Sequence, residues 1–291
     1  MTDKASWDLL GGDEIVPGRT AVKRLGGGTL AEAYLASDDR LLSTVVVKLL
    51  RPDRLDDRSR QKLREEADVL RALNHPMIPR LVDADPDGER PHLALEHIEG
   101  PRLSTLLRRY GPLSIEQIVP LAIELCSALH YMHGRGYVHL DVKPGNIVMS
   151  TRPRLIDMSV ARPVERAAAL REPVGTDAYM APEQCDPTRG EGLGTPADVW
   201  GTAVTVFEAA TGQRPFPPGD ERERFPQLRL SPEPPPPSLP SILGELLASC
   251  MRREPGSRPS AGEASAVLEP LVAALPRRPV LGNMRPRLTR P

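Results

Sequence analysis

One stretch constrains this chain more than any other: Val138 to Met149, V-H-L-D-V-K-P-G-N-I-V-M. An apolar approach, Tyr137 and Val138, leads into His139, Leu140 and Asp141. Lys143, Pro144, Gly145 and Asn146 follow, and then the apolar Ile147, Val148 and Met149. The pattern predicts strand, loop and strand, with an acid, an ammonium and an amide set within six residues. Asp157 stands sixteen residues after Asp141, at the end of a short apolar strand predicted over Leu155 and Ile156. Two carboxylates, a Lys and an Asn at this spacing suit phosphoryl transfer. One Asp accepts a hydroxyl proton, Asn and the other Asp hold Mg²⁺ (or Mn²⁺), and Lys sits on the migrating phosphoryl group.

The remainder of the composition excludes several other classes. A formal net charge of −1 with 40% apolar residues describes an ordinary globular chain and predicts no nucleic-acid surface. Cys126, Cys185 and Cys250 are far apart, which argues against a disulfide framework or a zinc site and makes a reducing cytoplasm the expected compartment. No apolar run approaches a membrane span, and the N-terminus has no signal-peptide pattern. Lysine is scarce: five (4, 23, 48, 62 and 143) against 33 arginines. A Lys at a point-charge phosphate site is therefore informative, because Arg does not replace it there.

The D-x-K-x-x-N of Asp141, Lys143 and Asn146 resembles the catalytic loop of the protein kinase family, H-R-D-x-K-x-x-N, with Leu140 in place of the Arg. Further motifs follow the same order. Leu25, Gly26, Gly27 and Gly28 open a glycine-rich hairpin turn, with Ala31 where the third glycine of G-x-G-x-x-G stands and Ala33 just beyond. Such a turn lets backbone N–H groups approach phosphates. Lys48 ends V-V-V-K, like the family's V-A-I-K strand, and Val46 stands where Ala often lines the adenine pocket. An amphipathic helix predicted over Asp57–Leu73 supplies Glu66 as the ion-pair partner of Lys48, while Glu65 faces elsewhere. Strands are expected at Ile78–Val82 and His92–Glu96. H-I-E-G (97–100) would be the hinge where backbone meets the adenine, Leu95 the gatekeeper, and Glu96, Ile98 and Val148 further nucleotide-binding residues.

Helices are expected at 103–109, 114–134, 197–210 and 242–251. The apolar stripe of the second is core, and His130 and His133 read as ordinary helix residues. Met158 and Ser159 replace the Phe and Gly of D-F-G, and Met158 suits a packing role beside His139 and Leu70. Residues 161–175 take the place of the activation loop but contain no Ser, Thr or Tyr. The missing acceptors and the missing Arg at 140 fit each other, and suggest a loop held without phosphate. Gly175-Thr176 resembles the substrate-positioning region, where a Thr hydroxyl bridges the catalytic Asp and Lys. Ala181-Pro182-Glu183 matches A-P-E with Arg258 as its buried partner, and Asp198 would bind the catalytic-loop backbone.

The resemblance covers about Arg19 to Leu271 and is to the Hanks-type (eukaryotic-like) serine/threonine kinases of bacteria. It implies an α+β, two-lobed fold: a small antiparallel β lobe with one helix over about 14–97, and a larger, mainly helical lobe over about 98–275. It implies ATP and Mg²⁺ as cofactors, bound in the cleft between lobes, and a protein substrate with a Ser or Thr acceptor. Many bacterial members continue into a membrane helix; this chain reads as a cytoplasmic kinase domain without one. Its oligomeric state is left open. Two other readings stay open on the same residues. A pseudokinase scaffold would explain Ala31, Val46, Leu140 and Ser159. A small-molecule phosphotransferase would share the fold but not the A-P-E apparatus. Residues 1–13 read as a loose lead-in, with Trp7, Leu9 and Leu10 packing on the domain. Pro232–Pro240 reads as a stiff loop or a polyproline ligand. The arginine- and proline-rich 276–291 reads as a disordered tail.

Overall fold

The computed structural model of the chain describes residues 5–188 and 192–275. The expectations for the tail from Pro276, and for the first four residues of the lead-in, fall outside them.

Alternating apolar residues build the first part. Glu14–Val16 (β1), Arg19–Gly27 (β2), Ala31–Asp38 (β3), Ser43–Leu50 (β4), Leu81–Asp85 (β5) and His92–Glu96 (β6) form one antiparallel sheet in the order β1-β2-β3-β4-β6-β5. On β4, Val45, Val47 and Leu49 are buried in a cluster with Tyr34, Ala36 and Ile15. Val46 and Lys48 must then point to the opposite face, since side chains alternate along a strand. The helix of this part, Asp57–Ala72 (α1), begins where Asp56 accepts a hydrogen bond from the Ser59 N–H, and buries Leu63, Ala67 and Leu70.

Two local expectations are corrected here, and β1 is an addition to them. The strand expected over Ile78–Val82 starts instead at Leu81, because Pro79 has no N–H for a ladder. The three residues of β1, next to the Pro17-Gly18 turn, are too short for a periodic signal. In the lead-in, Trp7 and Leu9 pack on the apolar cluster, but Leu10 is 73% exposed.

The second part is mainly helical. It comprises Leu103–Tyr110 (α2), Ile115–Gly134 (α3), Tyr137–Val138 (β7), Ile147–Val148 (β8), Arg154–Leu155 (β9), Arg162–Pro163 (β10), Val164–Ala168 (α4), Pro182–Cys185 (α5), Thr195–Thr211 (α6), Ser241–Cys250 (α7) and Ala261–Ala274 (α8). Helix α6 is buried almost all round, from Ala197 to Phe207. It starts with Pro196 in its first turn and stops at Gly212, whose φ of +75° is a left-handed cap. The strand expected at Leu155 and Ile156 lies one residue earlier. Where a plain loop was expected after Ala161, β10 pairs with β7 and the Ala-rich α4 follows. Pro232–Pro240 is an irregular connection into α7, with a turn at its end where Leu239 N donates to the Pro236 carbonyl. All three cysteines are buried; loss of hydration pushes the Cys126 and Cys185 thiols up to about 12 and that of Cys250 to about 11.

The chain divides into two compact units. The first runs to Asn74 and resumes at Ile78–Ile98; the second takes His75–Met77 and the described chain from Glu99 onward. Several contacts tie the short His75–Met77 segment into the second unit, among them the Ser127 hydroxyl at 3.3 Å from His75 Nε2. The Met77 carbonyl accepts from Leu155 N, the Pro76 carbonyl accepts from Arg154, and His75 stacks on Tyr131. An antiparallel sheet with one helix, followed by a mainly helical region, is the kinase fold class expected from the motifs. No helix among the described residues is long and apolar enough to cross a membrane.

Candidate active site

In the second unit, a buried carboxylate fixes the shape of the loop after β7. Asp198, in the first turn of α6, is 1% exposed. Its Oδ2 accepts from His139 N (2.9 Å) and its Oδ1 from Leu140 N (2.7 Å). His133 Nε2 lies 2.9 Å from Oδ2 as well. His133 is thus more than the ordinary helix residue it was expected to be. Burial alone would raise the Asp198 pKa, but the His133 and His139 contacts outweigh it and hold the group below the usual carboxylate range. Between these anchors Leu140 takes φ +64°, a conformation unusual for a branched residue, with its side chain buried. The Leu140 carbonyl accepts from Gln184 Nε2 (2.9 Å), which also donates to the Val174 carbonyl. Thr205 Oγ1 donates to the Val142 carbonyl. The loop is therefore pinned on both sides of Asp141.

Asp141 sits at the centre of a charged triangle. Its Oδ2 accepts from Lys143 Nζ (2.6 Å) and Asn146 Nδ2 (3.0 Å), and its Oδ1 from Thr176 Oγ1 (2.7 Å). Lys143 Nζ also donates to Thr176 Oγ1 at 2.5 Å, closing the triangle. Asn146 Nδ2 further donates to the Asp141 carbonyl (2.9 Å), which leaves the amide oxygen as the acceptor of that side chain. Asp157 follows Ile156, whose N–H donates to the Asn146 carbonyl at 2.7 Å; β8 and β9 pair Ile147 with Leu155. This brings Asn146 and Asp157 to the same end of a small ladder, with Asp157 at φ +72°. An amide oxygen and a carboxylate are hard donors that suit Mg²⁺, which takes one or two carboxylates and fills its octahedron with phosphate and water. Among the described residues no cluster of three His, Cys, Asp or Glu side chains offers a metal cage. His139 accepts from Asp141 N through Nδ1 (3.2 Å), and its buried Nε2 has no hydrogen-bond partner among the described residues. Burial lowers its pKa and keeps the ring neutral.

In the first unit, Lys48 Nζ donates to both oxygens of Glu66, at 2.8 and 2.7 Å. Glu65 is exposed and bonds Gln61 instead. The sheet register pairs Ala33 with Lys48 and Val46 with Leu95. Ala33, Val46, Lys48 and Leu95 consequently share one face, and all four are half-buried. Leu25 and Gly26 to Gly28 are exposed at the β2–β3 turn, where Gly26 has φ +144°. Glu96 and Ile98, at the end of β6 and just beyond, are half-buried; Val148 in the second unit is buried.

Beyond Thr176, Arg258 donates to both oxygens of Glu183 (2.6 and 2.9 Å) with its side chain wholly buried. It also caps the carbonyls of Pro196, Arg252 and Arg253 and lies 4.9 Å over the Trp200 ring. Asp177 makes a two-pronged pair with exposed Arg224 (2.7 and 3.0 Å), while Gln227 Nε2 donates to the Asp177 carbonyl. Sequence reasoning took His133 for an ordinary helix residue and passed over Gln184 and Gln227. Each is a polar residue on a helix or loop, and only its partner in the fold gives it meaning.

The protein kinase domain family matches residues 19–268. The probable serine/threonine-protein kinase PkwA of Thermomonospora curvata is 35% identical over 261 residues, 87% of this chain and 34% of that protein. The serine/threonine-protein kinase PkaA of Streptomyces coelicolor is 36% identical over 241 residues, 79% of this chain and 43% of that protein. The serine/threonine-protein kinase PknB of Mycobacterium leprae is 33% identical over 202 residues, 66% and 32% of the two chains. The chain thus spans about a third to two fifths of the length of these relatives. With a family match over most of its length, the chain belongs to the protein kinase family and is homologous to bacterial serine/threonine kinases.

Proposed function

We propose that this chain is a serine/threonine protein kinase that transfers the γ-phosphoryl group of ATP to a Ser or Thr hydroxyl of a protein substrate. The observation that carries this reading is the Asp141–Lys143–Thr176 triangle braced by Asn146. Two N–H donors fix one oxygen of Asp141, and its other oxygen already accepts a hydroxyl, as it would from an acceptor Ser or Thr. The acceptor oxygen bonds to the γ-phosphorus, the bond to the β-phosphate oxygen breaks, and the acceptor proton passes to Asp141. Lys143 lies within reach of the same oxygens and offsets charge on the group in transit. Lys48, aimed by Glu66, holds the α- and β-phosphates, and the N–H groups of Gly26 to Gly28 approach them. In the first unit, Leu25, Ala33, Val46, Leu95, Glu96 and Ile98 would contact the adenosine. Asn146 and Asp157 would hold Mg²⁺, which would neutralise phosphate charge. Such catalysis is mostly positioning and electrostatics.

We also propose that activity needs no phosphate on residues 161–175. That segment has no hydroxyl to carry one, and Leu140 stands where the family's phosphate-collecting Arg would be. In its place, Gln184 ties the Leu140 and Val174 carbonyls together across the segment's end. A signalling role follows from the protein acceptor.

The test is transfer of labelled γ-phosphate with Mg²⁺, wild type beside Asp141→Asn, on itself and on a generic basic protein. The reading expects transfer that falls about 10²–10⁴-fold in the variant while nucleotide still binds. No transfer by wild type, with nucleotide bound, would replace it with the scaffold reading.

A further inference from the structure

Ala5 to Trp7 cross the end of β4 as a short strap in the first unit, and they share one buried network with the glycine turn. Arg51, the residue after β4, is 4% exposed. Its Nε donates to the carbonyl of Gly28 (2.9 Å); its Nη1 donates to Glu32 Oε1 (3.0 Å) and to the Ala5 carbonyl (2.9 Å). Glu32, on β3, is entirely buried. Arg24 reaches its Oε1 at 2.7 Å, while its Oε2 accepts from the Tyr34 hydroxyl (2.9 Å) and from Trp7 N (3.2 Å). The Ser6 side chain bonds it too. Burial would raise the pKa of Glu32, yet the Ser6, Trp7 and Tyr34 bonds and the Arg24 charge leave it lowered, so it stays an anion. Trp7 anchors the strap: its Nε1 donates to the Leu50 carbonyl at 2.7 Å, and the Arg90 guanidinium lies 5.1 Å over its ring.

The strap therefore supplies donors that a buried carboxylate needs, and an acceptor that a buried guanidinium needs. The Gly28 carbonyl hangs from that same guanidinium. Because a trans peptide is planar, fixing the Gly28 C=O also fixes the Thr29 N–H, which points the opposite way. Two backbone bonds, Gly28 N to the Ala31 carbonyl and Arg51 N to the Leu30 carbonyl, complete the frame of the turn.

We propose that Arg51 and the Ala5–Trp7 strap are positioning elements for the glycine turn: the docked strap holds Arg51, Arg51 orients the Gly28 peptide, and the turn keeps the shape that receives a nucleotide phosphate. The phosphate part rests on the kinase reading above; the coupling of strap to turn does not. Displacing the strap leaves Glu32 and Arg51 short of partners, and they must draw on the turn or on water instead. Lys cannot replace Arg51, since one ammonium does not present the fork that reaches three acceptors.

Hydrogen exchange of the full chain without nucleotide, read on the amides of residues 25–31, tests the coupling in Trp7→Ala, Arg51→Lys and Trp7→Phe. Trp7→Phe keeps an aromatic face beneath Arg90 but loses the bond to the Leu50 carbonyl, and serves as the graded variant. Trp7→Ala and Arg51→Lys should speed exchange there by about 5–10-fold, the scale of one lost hydrogen bond, with the rest of the sheet unchanged and Trp7→Phe between Trp7→Ala and wild type. Calorimetric titration with ADP and Mg²⁺ should show weaker binding by a similar factor in Trp7→Ala, with ATP KM raised and kcat held within about twofold. Unchanged exchange at 25–31, or a rise spread evenly over the sheet, would overturn the proposal. Should Arg51→Lys fail to fold, Trp7→Ala decides alone. If wild type binds no ADP, the kinase reading falls and the exchange result still decides the coupling.

Discussion

Asp198 gathers two loop N–H groups and a histidine on one buried carboxylate, and its titration should be visible in stability. Its folded pKa lies below the ordinary value, about 3.9. Its contribution is therefore complete above about pH 4 and disappears as pH falls through the lower folded value. Scanning calorimetry across pH should show Asp198→Asn melting below wild type at pH 7, with the gap closing below about pH 4; a constant gap would contradict the assignment. Arg258 is the complementary case. Arg258→Ala strands Glu183 and three carbonyls, and a denaturant titration should show a loss of about 3–5 kcal/mol, the scale for breaking a buried pair. Both residues were legible in the sequence, because an acid opening D-V-W and an Arg in S-R-P-S fall in motifs whose partners are known in kind. Gln184 was not. A glutamine after A-P-E has no periodicity or charge to mark it, and its role exists only once two distant carbonyls are brought together.

At the scale of elements, two glycines of the helical unit do different work. Gly212 closes α6, and a Cβ there would meet Pro112 at an ordinary 3.4 Å, so Gly212→Ala costs only the left-handed backbone, about 1–2 kcal/mol. Gly175 has φ +119°, and a Cβ would lie 2.6 Å from the Leu140 carbonyl oxygen. That backbone must shift, taking Thr176 with it. Gly175→Ala should therefore lower kcat at least about tenfold, while Gly212→Ala lowers Tm with kcat retained; steady-state rates beside thermal melts separate the two. Helices with a clear apolar stripe were legible to within a residue or two, as in Asp57–Ala72 against the expected Asp57–Leu73. Short strands were not. Pro79 moves the start of β5, and β1 and β10 are formed by their partners rather than by any pattern of their own.

Over the whole molecule, the order and spacing of motifs from Arg19 to Leu271 made the fold class readable, because so many charged and glycine positions must fall in sequence for one chemistry. The assignment of His75–Met77 to the helical unit was not readable: its hydrogen bonds to Arg154 and Leu155 are long-range. If segment 161–175 is held without phosphate, exhaustive phosphatase treatment of the purified chain should leave kcat within about twofold of the untreated enzyme. A large fall would mean a phosphate elsewhere controls activity.

The three buried cysteines have a practical consequence. With thiol pKa values of about 11 to 12, fewer than about one in a thousand is thiolate near neutral pH, and none of the three is open to a reagent. Maleimide dyes and spin labels should therefore pass the native chain by. Any cysteine introduced on the surface becomes the sole handle for a probe without first stripping the natural ones. A pair placed at Ala5 and Thr29, both exposed, would carry a donor and an acceptor dye onto the strap and the glycine turn, turning their separation into a colour that can be followed in real time.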